Sequence, residues 1–477
     1  MKLRSKWFIF ALLAVAQFMV VLDVSIVNVA LPGIQQSLHF NASTLQWVIT
    51  AYSLTAGGFL LFGGRAADLF GRKRMLLIGM TGFTLFSLLI GLAPSASTLI
   101  VLRALQGLMG ALMTPAALST VLTTFGEGGE RNKALGLWTT VATGGAAVGL
   151  LLGGILSQYL NWRWNFFVNV PVGILVVIGI WKSVPKHEKE AAHNDLDLPG
   201  AVLVTGGLIA LVYAISQAPT AGWLSASTLG IAAVAVAMLI AFVWNESRSK
   251  HPLMPLSIFK IRNVAGANLM MTPIVAGMMG MFFLLSLYIQ TTLHYSPVLT
   301  GLAFLPFPVI IGLMSTNVAK LVTKYGYKRF LIIGPSLVVL GLLWLARLPV
   351  HGHYLTDILP TIILIPLGMG MTFMPIIAAA TSGVPANEAG LASGLINTSQ
   401  QMGGAFGLAI LSGVAASVAA GSARLGTLPA LVHGYDRAFM VSAAFALFAI
   451  VLAITVIRQP RTQHAATSSA AEPISPH

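Results

Sequence analysis

Long apolar runs separated by short polar breaks repeat from one end of the chain to the other. Fourteen windows hold 18 or more mostly apolar residues: 7–31, 44–64, 75–93, 97–122, 134–158, 164–181, 196–216, 226–244, 264–293, 298–321, 330–348, 355–381, 389–420 and 438–457. Runs of that length suit helices that cross a bilayer, whereas barrel strands would read as shorter segments of alternating polarity. The pattern predicts an all-α membrane protein with 14 transmembrane helices. The longest polar breaks, 182–197 and 245–263, bracket the pair at 196–216 and 226–244, with six spans before that pair and six after.

The expected organisation follows from that count: an N-terminal six-helix bundle over 1–195, a two-helix insert with a flanking linker over 196–263, a C-terminal six-helix bundle over 264–458, and a polar, disordered tail over 459–477. A weak internal repeat agrees with two halves. Gly71-Arg72-Lys73-Arg74 follows the second span of the first half, and Gly326-Tyr327-Lys328-Arg329 follows the second span of the second half. Transporters are often built from such halves, with a substrate site between them.

Composition sharpens the class. The chain is 56% hydrophobic and 8% charged, against about 25% charged in soluble domains, and its mean hydropathy is +0.86. A net charge of +14 raises nucleic acid as a partner, but the placement of the charge argues against it. With a cytoplasmic N-terminus, 22 of the 27 Lys and Arg fall on the cytoplasmic side, the bias that sets membrane topology. Membrane lipid is the partner this surface fits. The expected location is the inner (cytoplasmic) membrane, multi-pass, with both termini cytoplasmic. The basic start at Lys2, Arg4 and Lys6 and the Ala14-Val15-Ala16 stretch mimic a signal peptide, but the apolar run continues to Leu31, too far for one. There is no cysteine, so thiol chemistry is excluded.

One charged residue interrupts the first span. Asp23 lies about 12 Å from the outer end of its helix at 1.5 Å per residue, where an acid costs roughly 2.5–3.5 kcal/mol on insertion scales. With no metal-ligand cluster nearby in sequence, carriage of a proton is the use that fits; the plainer alternative is a structural acid satisfied by a neighbouring helix. Arg103 in the fourth span lies about 9 Å from the outer face, so the two share a depth. Desolvation favours a neutral acid and a nearby cation favours an ionised one. Their balance can shift with conformation, unless the two form a permanent ion pair. Enzymatic alternatives lack support: the His residues lie in loops, tails or span ends, and H-E-x-x-H, G-x-S-x-G and Walker motifs are absent. A channel is a further alternative.

Four segments resemble the fourteen-span drug–proton antiporters of the major facilitator superfamily, the multidrug efflux branch. They are the stretch Leu22-Asp23-Val24-Ser25-Ile26-Val27-Asn28-Val29-Ala30-Leu31-Pro32; Arg103-Ala104-Leu105-Gln106-Gly107; Gly64-Arg65-Ala66-Ala67-Asp68-Leu69-Phe70-Gly71-Arg72-Lys73-Arg74; and the glycines Gly145, Gly149, Gly153 and Gly154, followed by Asn161-Trp162-Arg163-Trp164-Asn165-Phe166-Phe167 with Asn169, Pro171 and Gly173. The resemblance implies proton coupling through Asp23 and Arg103. It also implies a conformational latch at Gly64, Asp68, Gly71 and Arg72, in a loop between two spans, and an antiporter helix hinge at Gly145, Gly149, Gly153 and Gly154. Leu150 stands where that motif usually has Pro, which puts the kink in doubt. In the second half the latch is degenerate, with Thr323 in place of the acid and Ala319 in place of the first glycine.

Substrate residues are less specified. Gln46, Trp47 and Tyr52 in the second span, and Asn397 and Gln401 in the penultimate one, are candidates by resemblance; each also suits helix packing. Aromatic faces attract lipophilic cations. With a single acid in mid-span, exchange of one proton for a monocationic drug or a neutral amphiphile is expected, with no cofactor beyond the proton gradient. Export of one dedicated metabolite, an antibiotic or siderophore, is the alternative. A monomer suffices for either.

Overall fold

The structure is a computed structural model that describes residues 3–125, 128–185, 197–249, 252–385 and 388–458. The expected tail at 459–477 and most of the linker after α9 lie outside the described residues. Every regular element among the described residues is helical. The first half contains α1 (Leu3–Leu38), α2 (Ala42–Leu45), α3 (Trp47–Gly58), α4 (Leu60–Phe70), α5 (Arg72–Gly91), α6 (Ala96–Thr124), α7 (Gly129–Tyr159), α8 (Trp164–Phe167) and α9 (Asn169–Ser183). The central hairpin is α10 (Leu198–Ala221) and α11 (Ala226–Arg248). The second half contains α12 (Arg262–Leu287), α13 (Pro297–Phe304), α14 (Pro306–Tyr325), α15 (Tyr327–Leu345), α16 (Leu359–Thr381), α17 (Ala389–Gly421) and α18 (Thr427–Thr455).

Thirteen of these stretches are long and apolar enough to cross a membrane, and the α3–α4 pair, bent by 47°, makes a fourteenth if counted as one span. The bend falls at Gly57-Gly58, where two neighbours press in. A methyl on Gly57 would come within 2.7 Å of Gln401 Cβ on α17, and one on Gly58 would meet the Thr205 side chain on α10. Paired glycines let the helix break there, as paired small residues do in other kinked helices.

The first half packs α1 on α7, α3 and α5 on α6, and α5 on α9; the second packs α12 on α17 and α18, and α15 on α16 and α18. The α10–α11 hairpin lays α10 against α3 and α17. Between the halves, α3 meets α17, α7 meets α13 and α14, and α1 meets α12. Polar bridges between the halves join Asn28 and Val29 of α1 to the end of α12 and the segment after it, and the end of α7 to the start of α13. Ser286 Oγ donates to the Asn28 carbonyl at 2.7 Å, Gln290 Nε2 to the Val29 carbonyl at 3.2 Å, and Val298 N–H to Gln158 Oε1 at 3.2 Å.

Three boundary expectations need correction. The segment 64–74 is not a loop: α4 runs through Arg65 and Asp68 to Phe70, α5 starts at Arg72, and only Gly71, at φ +95°, lies between them. The last span begins at Thr427 rather than Ala438, which brings His433, Asp436 and Arg437 into the helix. α11 continues past Trp244 and carries Asn245 and Glu246. In each case polar residues that read as loop are absorbed into the terminal turns of a helix that has an apolar body.

Candidate functional site

Six elements of the first half converge around Asp23. α1 supplies the carboxylate, which is fully buried. From α6, Arg103 Nη1 donates to Asp23 Oδ2 at 2.5 Å and to Gln106 Oε1 at 2.6 Å. Arg103 Nε donates to the Val48 carbonyl of α3 at 2.9 Å, and its guanidinium lies 4.5 Å from the Tyr52 ring centroid and 5.7 Å from that of Phe166 on α8. Gln106 Nε2 donates to Asp23 Oδ1 at 3.0 Å and to Ser87 Oγ of α5 at 2.8 Å. Asn169 Nδ2, at the head of α9, completes the shell at 3.3 Å from Oδ1.

The spacing on α6 explains part of this. Arg103 and Gln106 are three residues apart, hence on one face. Gly107, one residue further, lets that face close on α3: a methyl there would strike the Tyr52 carbonyl and Thr55. The site is closed to solvent, with Asp23, Arg103, Gln106, Ser87 and Asn169 all buried. In low dielectric the charges need this density of donors, because a buried ion pair gains from attraction only when its remaining hydrogen-bonding positions are filled. Removal of one partner from such a pair typically costs about 3–5 kcal/mol.

The other expected residues fall in separate places. Asp68 pairs with Arg72 at 3.8 Å along its own chain segment. Gly64 sits inside α4, where an added methyl would stand 3.7 Å from Pro115 of α6. Gly145, Gly149 and Gly153 line one edge of α7 against α1. Methyls there would stand 3.3 Å from Phe18, 2.8 Å from Ser25 Cβ and 2.8 Å from Ile26 Cγ1 respectively, while one on Gly154 would stand 2.6 Å from the Pro297 carbonyl of the other half. α7 is continuous from Gly129 to Tyr159 through all four, so in this conformation they provide close approach.

The substrate candidates also separate. Trp47 points at the hairpin, its Nε1 donating to Ser216 Oγ of α10 at 3.3 Å and its ring 6.1 Å from that of Tyr213. Tyr52 covers Arg103 as part of the acid site. Gln46 is buried at the head of α3, and Gln401 sits in the α3–α17 contact at Gly57. Asn397 alone is exposed, bonded to its own helix through the Ser393 carbonyl. Gln106 and Asn169 stand in the motifs that sequence singles out without a role attached, and Ser87 gives no signal in the sequence at all.

These features define a polytopic helical membrane protein with a buried, charge-bearing polar centre in its first half. The chain belongs to the Major Facilitator Superfamily, whose profile matches residues 13–408. It is 42% identical to the puromycin resistance protein pur8 of Streptomyces alboniger, over 95% of this chain and 91% of that one. It is 40% identical to the cephamycin export protein CmcT of Amycolatopsis lactamdurans, over 92% and 90%. It is 36% identical to the multidrug resistance protein Stp of Mycobacterium tuberculosis (strain CDC 1551 / Oshkosh), over 84% and 74%. Among solved structures it shares its fold with the POT family transporter PepTSo, at a TM-score of 0.67 and 15% identity, covering 95% of this chain and 99% of that one.

Proposed function

We propose that this protein is a proton-coupled exporter of lipophilic drugs, monocationic or neutral amphiphilic, and that Asp23 carries the proton. The carrying observation is the Asp23 centre: a mid-membrane carboxylate with no exposure, held by donors from neighbouring helices. Membrane-embedded ionisable groups of this kind mark ion or proton pathways. Rearrangement of the helices that supply the donors changes how well the ionised form is held, which is the differential affinity that coupling requires.

In this reading the N-terminus is cytoplasmic, so the bridges from Asn28 and Val29 of α1 to Ser286 and Gln290 lie toward the outside and the cargo path opens inward. Three exposed polar positions support that direction. Asn397 on α17, Asn317 on α14 and Thr139 on α7 each lie about 12–15 Å from the inner end of their helix. Exposed polar side chains at that depth belong to a water-filled vestibule rather than to lipid. Substrate enters there, and protonation of Asp23 from outside accompanies release. Gly64, Asp68, Gly71 and Arg72 hold the inner ends as the halves rock.

The experiment is efflux from proteoliposomes under an imposed proton gradient. Asp23→Asn removes gradient-driven export and leaves substrate binding measurable; unchanged driven export in this variant overturns the assignment. A second reading, export of one dedicated antibiotic, is favoured by the names of the two relatives that match over about nine-tenths of both chains. Resistance confined to one chemical scaffold selects it, and resistance to unrelated scaffolds selects the broad reading.

A further inference from the structure

A second pair of buried carboxyls lies far from Asp23, at the end of the central hairpin where α10 begins and α11 finishes. Asp197 caps α10, its Oδ1 accepting from the Gly200 N–H at 2.8 Å, and its Oδ2 accepts from Asn245 Nδ2 at 2.6 Å. Glu246 Oε2 accepts from the Met254 N–H at 3.0 Å, in the segment that leads from α11 to α12. Glu246 is 4% exposed and Asp197 is 8% exposed.

The remaining oxygen, Glu246 Oε1, is buried without a hydrogen-bond donor, and it is aimed at the other acid. A methyl placed on Gly200 would stand 2.6 Å from Asp197 Oδ2 and 2.9 Å from Glu246 Oε1, so the two oxygens flank the same point and lie no more than 5.5 Å apart. Asp197 is the charged group acting on Glu246. The described cations nearby are engaged or turned away. Arg248 lies over the Trp244 ring at 4.7 Å, Arg262 donates to the carbonyls of Thr455 and Val456, and Lys260 is exposed. The segment 252–255, Pro-Leu-Met-Pro, holds no titratable group. Glu246 Oε1, which has no donor, and Asp197 Oδ2, whose one donor is Asn245, are both satisfied when a proton sits between them, and neighbouring like charges resist ionising together.

We propose that Asp197 and Glu246 share one proton and form a second proton-binding site, outside the transport path and independent of Asp23. The protonated pair holds Glu246 in place as the anchor of Met254, and thereby fixes the strap between the hairpin and the second half. Alkalinisation removes the shared proton, the carboxylates repel, and the strap is released.

The test is infrared difference spectroscopy of the purified full chain in lipid at neutral pH, with amide exchange at Met254 as a second readout. A protonated-carboxyl band is expected in wild type and in Asp23→Asn, and its loss is expected in Glu246→Gln and in Asp197→Asn. Exchange at Met254 in wild type is expected to rise with pH beyond the intrinsic base-catalysed increase, and to follow only that increase in Glu246→Gln. A band unaffected by Glu246→Gln, or a wild-type Met254 amide that follows only the intrinsic dependence, overturns the shared proton. The wild-type exchange profile decides the matter even if neither variant folds. Because the band is read in Asp23→Asn as well, failure of the transport assignment leaves this result unaffected.

Discussion

Lys73 and Lys328 hold equivalent places in the two halves. Each stands two residues after a glycine with positive φ, Gly71 at +95° and Gly326 at +76°. Each then reaches the carbonyls that end the last helix of its own half. Lys73 Nζ donates to the carbonyls of Trp181 and Val184 at 2.7 and 2.6 Å, closing α9, and Lys328 Nζ donates to the Ile454 carbonyl at 3.0 Å, closing α18. The repeated Gly-x-Lys-Arg segment therefore has a job that survives in the second copy after its acid has become Thr323: a cation at a helix C-terminus.

That equivalence predicts a graded loss of stability. Lys73→Met removes two charge-assisted bonds, each typically worth about 1.5–3 kcal/mol when well shielded and less at a surface. Lys328→Met removes one, and in an exposed place. Thermal unfolding in detergent should show both variants destabilised, Lys73→Met more, with transport per folded molecule retained.

The glycines of α7 divide by what faces them. Gly153→Ala puts a methyl 2.8 Å from Ile26 Cγ1 and 2.9 Å from the Ile26 carbonyl, an overpacked contact that costs about 1–3 kcal/mol. Gly136→Ala and Gly144→Ala meet open space and gain up to about 1 kcal/mol from helix propensity. Unfolding midpoints of the three variants in one detergent check the contrast.

Trp47 gives a test that separates docking from cargo contact. If its indole serves to seat α10, Trp47→Phe and Ser216→Ala should lower stability by similar amounts, about 0.5–1.5 kcal/mol for a single hydrogen bond. The double variant should then cost little more than either, with the resistance profile unchanged. A profile altered by Trp47→Phe and not by Ser216→Ala assigns the ring to substrate.

Gln106 bonds to Arg103, Asp23 and Ser87 at once. Gln106→Leu strips the Asp23 carboxylate and the Ser87 hydroxyl of a donor and Arg103 of an acceptor, all in a site closed to solvent. Each buried polar group left unsatisfied costs about 1–3 kcal/mol. Gln106→Glu keeps the shape and adds a charge beside the carboxylate. Both variants should lose most driven efflux, and Gln106→Leu should also unfold at lower temperature.

Much of this architecture is legible along the chain. Windows of 18 apolar residues mark spans because the bilayer sets their length, and Asp23 stands out because nothing else in 7–31 is charged. Apart from Arg103, its partners do not stand out. Ser87 is an ordinary hydroxyl in a membrane helix, and only the meeting of α5 with α6 turns it toward Gln106. Glu246 and Asp436 are hidden by their neighbours. Asn245 beside Glu246, and His433 and Arg437 around Asp436, lower the local hydropathy, so the apolar windows stop short of helices that in fact continue. The break after Gly58 is equally silent, since glycine pairs are common in membrane helices and only the close approach of Gln401 and Thr205 sets this one apart.

The central claim is that Asp23 trades a proton against cargo. The direct measurement is proton release from the purified protein in weakly buffered detergent when a transported compound is added, near the pH at which transport is half-maximal. Wild type should release protons in a saturable way that tracks binding, and Asp23→Asn should bind and release none. Saturable binding to wild type without any proton appearing, or equal release from Asp23→Asn, contradicts the account.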